Sequence, residues 1–180
     1  MHKWRAEEQA ILVGTNTVLQ DNPSLTVRDW TGLDPIKVVI DKDLKLPHDL
    51  TVFNSNTHII ILCENRDKQS AIAPIETKPT VSTSNSEFKN ITHSSLDWSK
   101  KSQIAQQICE VLFKKNINSI IIEGGTQTLQ TFINEGLWDE AQVFTGATTF
   151  KNGIKAPLFK GQLIFEKNIT DDTLRTYVNN

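Results

Sequence analysis

Short apolar runs rich in Ile and Val recur along the chain and are separated by polar segments. The clearest runs are residues 10–13, 38–40, 59–62 and 120–122. Each run is too short for a helix, and none alternates between apolar and polar residues as a half-exposed strand does. Continuous apolar runs of this length are typical of strands covered on both faces. The pattern therefore predicts an α/β protein with a mostly parallel central sheet.

Helical spacing of apolar residues is clearest in two segments. The first, residues 99–115, places four apolar side chains on one face: Ile104, Ile108, Val111 and Leu112. Asp97 or Ser95 is its expected N-cap. The second, residues 126–135, is expected to end at Gly136. It should bury three side chains: Leu129, Phe132 and Ile133.

The remaining segments complete the expected order of elements. Residues 3–9 are expected to be the end of a helix that leads directly into the first strand. Residues 77–95, rich in Ser, Thr and Asn, predict a loop-dominated excursion. Further strands are predicted at residues 141–145, 163–169 and 174–178. A chain of 180 residues accommodates these elements in one domain.

Charge and hydropathy limit the partners of this chain. A formal net charge of −2 provides no field to attract nucleic acid or an anionic membrane, so local groups must hold any anionic ligand. No apolar run approaches the roughly 20 residues of a membrane helix, and the first ten residues lack the apolar core of a signal peptide. Cys63 and Cys109 lie in apolar stretches, as buried thiols do. We expect a cytoplasmic protein that binds neither nucleic acid nor membrane.

Polar residues and glycines directly follow several of the predicted strands. Parallel α/β sheets bind ligands outside the carboxyl ends of their strands. In Glu123-Gly124-Gly125-Thr126-Gln127, the paired glycines would let a ligand approach the backbone. The first N–H groups of the following helix would attract a pyrophosphate. A tight strand-to-helix turn with Thr126 as cap is the alternative, and the residues alone leave both open.

A second candidate region is residues 21–28. Pro23 is expected to hold Asn22 in an extended conformation, with Asp21 available to accept hydrogen bonds. Arg28 follows a strand-like Leu-Thr-Val and could bind a phosphate with two N–H groups. An ordinary turn with a solvated arginine is the alternative here.

Several classes of enzyme lack the residues they need. The sequence has no Cys-x-x-Cys, no Gly-x-Ser-x-Gly and no P-loop. Its histidines lack the spacing of metal ligands, so no metal is expected; they are His2, His48, His58 and His93. No catalytic side chain can be assigned, and the chemistry is expected to belong to a bound cofactor.

The succession of motifs resembles the pyrimidine reductase domain of the bifunctional riboflavin-biosynthesis deaminase/reductase. The matching segments are Arg5-Ala6-Glu7, Ala10-Ile11-Leu12-Val13-Gly14-x-x-Thr17-Val18, Asp21-Asn22-Pro23-x-Leu25-Thr26-x-Arg28, Lys37-Val38-Val39-Ile40-Asp41, Glu123-Gly124-Gly125 and Gly136-Leu137-x-Asp139-Glu140. The resemblance spans nearly the whole chain, and the block from residue 5 to residue 28 is long and specific.

The resemblance implies a three-layer, dihydrofolate-reductase-like fold. It also implies a homodimer that uses NADPH to reduce 5-amino-6-(5-phosphoribosylamino)uracil to its ribityl form. The family's substrate contacts fall on Arg5, Leu25, Arg28 and Glu123. Its NADPH contacts fall on Thr17, Asp21, Gly125, Thr126, Gln127, Thr128, Leu129, Gln130 and Thr131. NADPH should be preferred to NADH, and the candidates for its 2′-phosphate are Lys42, Arg66 and Lys68.

The chain departs from the family pattern in two respects. Neither the opening Ser-x-Asp-Gly-Lys strand nor the zinc deaminase domain that precedes it is found, so residues 1–180 are expected to form a single reductase domain without its first strand. The family's Ala-Pro-x-Leu/Ile-x-Gly-Gly pattern is replaced by a variant loop at residues 146–157. Because a central strand is missing, we expect little turnover. The alternatives are an inactive fragment that binds a dinucleotide or a partner chain, and a related dihydrofolate-reductase-like enzyme with another substrate.

Overall fold

The computed structural model describes residues 1–54, 56–64, 90–148 and 152–179. The strands in this part of the chain are β1 (Ala10–Gly14), β2 (Ile36–Ile40), β3 (Ile59–Glu64), β4 (Ile91–Leu96), β5 (Ile120–Ile122), β6 (Glu140–Thr145), β7 (Gln162–Ile169) and β8 (Asp172–Val178). The α-helices are α1 (His2–Glu7), α2 (Thr15–Asp21), α3 (Ile104–Lys114) and α4 (Thr126–Asn134). Short 3₁₀ turns lie at Thr51–Phe53 and Lys101–Gln103.

Five strands form a parallel sheet in the order β4-β3-β2-β1-β5. The strand β1 lies inside this sheet, and Leu12 is opposite Val38 on one neighbour and Ile122 on the other. All five residues of β1 are buried. The strands predicted from the four apolar runs are confirmed, as is their parallel arrangement.

Both faces of this sheet are covered, which gives the three expected layers. Successive side chains of a strand point to opposite faces, so Leu12 packs with α3 and α4 while Ile11 and Val13 pack on the other side. That second core contains Val18 of α2 and the 3₁₀ turn at Thr51–Phe53. Burial on both faces explains why the runs do not alternate in polarity.

A second sheet is antiparallel, with the order β6-β8-β7. Its strands confirm those expected at residues 141–145, 163–169 and 174–178. Phe159 packs edge-to-face on both Trp138 and Tyr177, with ring centroids 5.5 Å and 5.1 Å apart. Within the described residues, β5 pairs with β1 alone and β6 pairs with β8 alone, so each has one unpaired edge.

The expected loop at residues 77–95 is wrong over its last part, where β4 forms. This strand lies at the edge of the sheet and pairs with β3 alone. Its residues are mostly polar, with Thr92 opposite Ile60 and Ser94 opposite Leu62. Backbone hydrogen bonds of a long-range pairing stabilise β4, and they leave no apolar pattern in the sequence. Residues 77–89 lie outside the described part of the chain.

The start of α3 was also predicted wrongly. The helix begins at Ile104 rather than at residue 99, and neither Asp97 nor Ser95 caps it. The carboxylate of Glu135 instead accepts hydrogen bonds from the N–H groups of residues 105 and 106, both at 3.0 Å. Because Glu135 lies just beyond the end of α4, this cap depends on the packing of two helices and has no local sequence signal.

The end of α4 agrees with the prediction in position and differs in burial. Gly136 follows the helix with a left-handed φ of 67°. Of the three side chains expected to be buried, Phe132 is fully buried, whereas Leu129 and Ile133 are partly exposed. Neither cysteine forms a disulfide, and Cys63 is buried whereas Cys109 is partly exposed. No helix in the described ranges combines the length and apolar character that a membrane span requires.

Candidate active site

Arg5 and Glu123 form a paired site at the carboxyl end of the parallel sheet. Arg5 lies on α1 and Glu123 directly follows β5. The guanidinium donates from Nε to Glu123 Oε1 at 2.8 Å and from Nη2 to Oε2 at 2.6 Å. Only 13% and 11% of the two side chains are exposed. The hydrogen bonds to Glu123 raise the pKa of Arg5 above its ordinary value. Arg5 Nη1 also donates to the carbonyl oxygen of Thr26 at 2.9 Å, so one side chain joins three segments.

The glycine turn after Glu123 lies against Thr17 of α2. Gly124 and Gly125 have φ values of 108° and 75°, in the left-handed region that glycine favours. A Cβ atom at Gly124 would be 2.8 Å from Thr17 Cγ2, and one at Gly125 would be 3.1 Å from Thr17 Oγ1. Similarly, a Cβ atom at Gly14 would be 2.5 Å from Thr128 Oγ1. The starts of α2 and α4 therefore meet at this turn, and the three glycines allow this close approach.

The beginning of α4 is free of a side-chain cap. Gly125 is the N-cap residue and no side chain in the described part of the chain caps the helix start, so the interpretation of Thr126 as cap is wrong. The Thr126 hydroxyl instead donates to the carbonyl oxygen of Lys155 at 2.8 Å. The first N–H groups of a helix have no intrahelical partner, and those of α4 lie next to the glycine turn. This arrangement suits an anionic ligand.

Other candidate side chains on α4 are engaged within the protein. The Gln130 amide both donates to and accepts from the backbone of Leu158, at 3.0 Å and 2.9 Å. The Thr131 hydroxyl donates to the carbonyl oxygen of Gln127 at 2.9 Å. Through Lys155 and Leu158, α4 therefore holds part of the variant loop and the segment that follows it.

The end of α2 differs from the sequence prediction at Asn22. Its backbone is left-handed, with φ 40° and ψ 54°, where Pro23 was expected to impose an extended conformation. Asparagine tolerates the left-handed region better than most residues. Here its N–H group donates to Val18 O and closes the helix, while its side-chain oxygen accepts from Thr51 N at 2.7 Å. Asp21 is exposed on the last turn of α2, one turn after Thr17.

Residues 25–27 form no strand, although their sequence Leu-Thr-Val is strand-like. The N–H group of Val27 donates to Asp34 Oδ1 at 2.6 Å, so a side chain takes the place of a strand partner. Leu25 has a φ of 56°, a strained conformation for a residue with a side chain. Because only 2% of Leu25 is exposed, this residue belongs to the core.

Arg28 lies at the end of this segment with its side chain in solvent. It lines an open cavity of about 510 Å³ together with Asp29, Trp30 and Thr31. The ammonium of Lys3 lies 6.0 Å from the centre of the Trp30 ring. The structure thus brings Arg28 and Arg5 to the two ends of one short segment, which leaves Arg28 available to an anion.

The polar residues after β2 are mostly committed to the fold. Asp41 is 3% exposed, and its carboxylate accepts from the N–H groups of residues 45 and 46 at 3.1 Å and 2.9 Å. Lys42 Nζ lies 3.6 Å from Glu64 Oε1 and 5.7 Å from the centre of the Trp98 ring. Of the three candidates for a 2′-phosphate contact, Lys42 is described, whereas Arg66 and Lys68 lie outside the described residues.

Sequence reasoning missed two polar residues of this region, Lys37 and His2. Lys37 is fully buried, and its Nζ donates to the carbonyl oxygen of Val52 at 3.3 Å. Burial lowers its pKa to about 8, against the opposing effect of the Asp34 carboxylate. A lysine inside an apolar strand was the available signal. His2 lies three residues before Arg5, a spacing that places both on one side of α1.

The described ranges contain no group of three or more His, Cys, Asp or Glu side chains that could hold a metal ion.

The sequence matches the model of the RibD C-terminal domain over residues 1–179. This chain belongs to that family. It is 28% identical to the riboflavin biosynthesis protein RibD of Aquifex aeolicus over 154 residues, which cover 85% of this chain and 39% of that protein. It is 26% identical to the 2,5-diamino-6-ribosylamino-4(3H)-pyrimidinone 5′-phosphate reductase of Archaeoglobus fulgidus over 152 residues, covering 79% of this chain and 63% of that protein. The chain thus spans less than two thirds of each relative.

Solved structures of the family share this fold. A deaminase/5-amino-6-(5-phosphoribosylamino)uracil reductase from Thermotoga maritima superposes on 99% of the chain with a TM-score of 0.77 and 23% identity, over 47% of its own length. The riboflavin biosynthesis reductase Rib7 of Saccharomyces cerevisiae superposes on 99% with a TM-score of 0.73 and 19% identity, over 79% of its length. The expected dihydrofolate-reductase-like fold is confirmed.

Proposed function

We propose that this protein is an NADPH-dependent reductase that converts 5-amino-6-(5-phosphoribosylamino)uracil to its ribityl form. The observation that carries the proposal is the junction of the Arg5–Glu123 pair with the Gly124-Gly125 turn. Arg5 is suited to an anionic substrate and is paired with Glu123. Gly124 and Gly125, which follow Glu123, form a turn that leaves the backbone open to a dinucleotide. Membership of the RibD C-terminal domain family supports this assignment.

The residues around the glycine turn fit a nicotinamide dinucleotide. Side chains at Gly124 and Gly125 would press against Thr17, so this turn requires glycine. The uncapped start of α4 suits a pyrophosphate. We assign the cofactor contacts to Thr17, Asp21, Gly125, Thr126, Gln127, Thr128, Leu129, Gln130 and Thr131. When bound, the cofactor supplies the hydride, and the chain's own residues orient the reactants and hold their charges.

We assign the preference for NADPH over NADH to cations at the ends of β2 and β3. Among these candidates, Lys42 lies in the described part of the chain, two residues after the end of β2, and is only partly buried. Its ion pair with Glu64 joins side chains that are 44% and 43% exposed. An exposed pair of this kind contributes little free energy, so a phosphate could replace the carboxylate as the partner of Lys42.

The substrate side of the site is formed by Arg5, Leu25, Arg28 and Glu123. Glu123 and Thr26 O accept hydrogen bonds from three of the five N–H groups of Arg5. These bonds fix the orientation of the guanidinium plane. Its remaining N–H groups and the exposed guanidinium of Arg28 are suited to a sugar phosphate. The hydride acceptor is the ribose C1′, and no side chain is assigned as a proton donor.

The unpaired edges of β5 and β6 favour a second candidate function. Unpaired edges recruit other strands, so the chain would bind a partner strand through them without turning over substrate. In the same alternative, the start of α4 would bind a dinucleotide without hydride transfer. Fusing a Ser-x-Asp-Gly-Lys strand and its loop to Met1 separates the two functions. The reductase proposal expects the fused strand to raise both the melting temperature and turnover. A binding protein would gain stability alone.

The reductase proposal is tested by following NADPH oxidation with the phosphorylated substrate, and with the same substrate after phosphatase treatment. We expect the phosphorylated compound to be reduced and the dephosphorylated one to react far more slowly, since both arginines act on the phosphate. Mass spectrometry should identify the ribityl product. Equal rates would favour a related dihydrofolate-reductase-like enzyme with another substrate. NADPH oxidation with neither compound would contradict the proposal.

The proposal extends to a homodimer that works in the cytoplasm. Sedimentation equilibrium tests the dimer directly, with a mass of twice 20.3 kDa expected at micromolar concentration. A monomer at all concentrations would remove the dimer from the proposal without affecting the site.

A further inference from the structure

His2 holds the backbone of the segment that carries Arg28. Its Nδ1 atom lies 3.1 Å from the carbonyl oxygen of Thr26 and 3.2 Å from the backbone nitrogen of Arg28. On the other side of the ring, Nε2 lies 3.2 Å from Asp29 Oδ2. The imidazole therefore contacts three of the residues between 26 and 29, and only 21% of its side chain is exposed.

The two contacts of Nδ1 exclude each other chemically. A carbonyl oxygen only accepts hydrogen bonds, so Thr26 O can bond to Nδ1 only when that nitrogen carries a proton. The N–H group of Arg28 only donates, so it can bond to Nδ1 only when that nitrogen carries none. The protonation of Nδ1 therefore decides whether the Arg28 backbone is held.

The surroundings favour the form in which Nδ1 accepts from Arg28. Thr26 O already accepts a hydrogen bond from Arg5 Nη1 at 2.9 Å, so it has less need of a second donor. The Asp29 carboxylate suits a proton on Nε2. A neutral ring with its proton on Nε2 then satisfies both the Arg28 N–H group and Asp29.

Resting on the proposed function, we infer that His2 is a positioning residue: its neutral ring fixes the segment that presents Arg28 to the substrate phosphate, and a proton on Nδ1 releases it. Acidification therefore weakens substrate binding through Arg28. The charged groups that face the ring are the guanidinium of Arg5 through Thr26 O and the carboxylate of Asp29, whereas Arg28 contacts the ring through its backbone nitrogen. Lys3 and the amino group of Met1 adjoin His2 on its own helix.

The first test compares the KM for the phosphorylated uracil in two variants. His2→Leu removes the acceptor, and KM should rise roughly three- to tenfold, the effect of losing one hydrogen bond, while kcat changes little. His2→Asn provides an oxygen near the position of Nδ1 that does not titrate, and should recover most of this loss. His58→Asn is the matched control, because His58 bonds to Thr92 in the sheet and should leave KM unchanged.

The pH profile gives a readout that a structural role would not change. Across the pH range in which the NMR signals of the imidazole shift, KM of the natural chain should rise relative to KM of His2→Asn. Both are measured with the same substrate, whose own phosphate titration cancels in the ratio. A constant ratio across this range overturns the inference. So does a His2→Leu variant with unchanged KM.

Nuclear magnetic resonance of the natural chain tests the inference without turnover. The ¹⁵N shift of Nδ1 should report an unprotonated nitrogen in the neutral ring, and the Arg28 amide resonance should move with the same midpoint as the imidazole. A proton on Nδ1 in the neutral ring, or an Arg28 amide that ignores the titration, overturns the inference. Absence of reduction with correct NMR behaviour contradicts the proposed function alone, and this readout still decides the role of His2 if His2→Leu does not fold.

Discussion

Arg5 and Glu123 are 118 residues apart in the chain and are joined by two hydrogen bonds of 2.8 Å and 2.6 Å. The pair fastens α1 to the end of β5, at the point where the glycine turn begins. Both side chains were expected to contact substrate, and the structure shows that they contact each other. In the proposed reductase, Glu123 acts by orienting Arg5, and Arg5 offers its free N–H groups to the ligand.

Glu123→Gln should lower the free energy of unfolding by about 2 kcal/mol, because it leaves the largely buried guanidinium of Arg5 without its charged partner. The matched control is Glu7→Gln on the same helix, which breaks the exposed Lys3–Glu7 pair at 3.7 Å. That change should cost under about 0.5 kcal/mol. Urea unfolding of both variants measures the difference, and equal effects would contradict a structural role for the buried pair.

Arg28→Ala should weaken substrate binding about thirtyfold, the effect of losing a charge-assisted contact of about 2 kcal/mol. Cofactor binding and stability should change little because the side chain is exposed. Arg28→Lys should recover little, since an ammonium lacks the planar fork. Arg175→Ala, which removes an exposed arginine paired with Glu166 on the second sheet, is the control. Unchanged substrate affinity in Arg28→Ala, measured by calorimetry, would return Arg28 to the solvated-surface interpretation.

Gly125→Ala should weaken binding of the dinucleotide, since its Cβ atom would lie 3.1 Å from Thr17 Oγ1 in the turn. Gly136→Ala is the matched control: its φ of 67° is similarly left-handed, and a Cβ atom there meets nothing within 4 Å. Both variants should lose about 1 kcal/mol of stability through backbone strain. Only Gly125→Ala should lose affinity for NADPH in a tryptophan-quenching titration. Equal NADPH affinities in the two variants would argue against the glycine turn as the cofactor site.

Because of Lys37, the free energy of unfolding should change with pH in the alkaline range. Its pKa is about 8 in the folded chain and 10.5 in the ordinary case, so between these values the folded state binds fewer protons. The free energy of unfolding therefore rises with pH across this window, by up to about 3 kcal/mol. The measurement is the difference in unfolding free energy between the natural chain and Lys37→Met from about pH 7 to about pH 11.

Subtracting the Lys37→Met variant removes effects that both chains share. Burial raises the pKa of the Cys109 thiol, so Cys109 alone would make stability fall as the pH rises past its ordinary value. This contribution is the same in both chains and cancels. A difference that is flat or falls with pH would contradict a buried ammonium at Lys37.

The fold could be predicted from the sequence in the segments where burial requires apolar residues. The runs that became β1, β2, β3 and β5 are covered on both faces, so their residues are almost all apolar. The strand β4 has no such apolar pattern, since backbone pairing at a sheet edge requires few apolar side chains. The capping of α3 by Glu135 has no sequence signal either, because only tertiary packing brings Glu135 to the start of α3.

The residues of the candidate site could be predicted from the sequence, but the contacts between them could not. The glycine turn and the arginines have residue types that suggest anionic ligands, and the family resemblance pointed to the same residues. That Glu123 would pair with Arg5, or that Leu25 would turn its side chain into the core, depends on contacts between segments far apart in the chain. His2 escaped notice because a histidine without a metal-like spacing has no local signature.

The measurement that tests the proposed reductase activity most directly is hydride transfer itself. The phosphorylated uracil substrate is incubated with NADPH carrying two deuterium atoms at the nicotinamide C4 and with the protein in excess, so that a single slow turnover suffices. The product is analysed by mass spectrometry. We expect the natural chain to form a ribityl product with one deuterium at C1′. Arg28→Ala should form far less of this product. Unchanged substrate, or a product without deuterium, would contradict hydride transfer from NADPH to the ribose C1′.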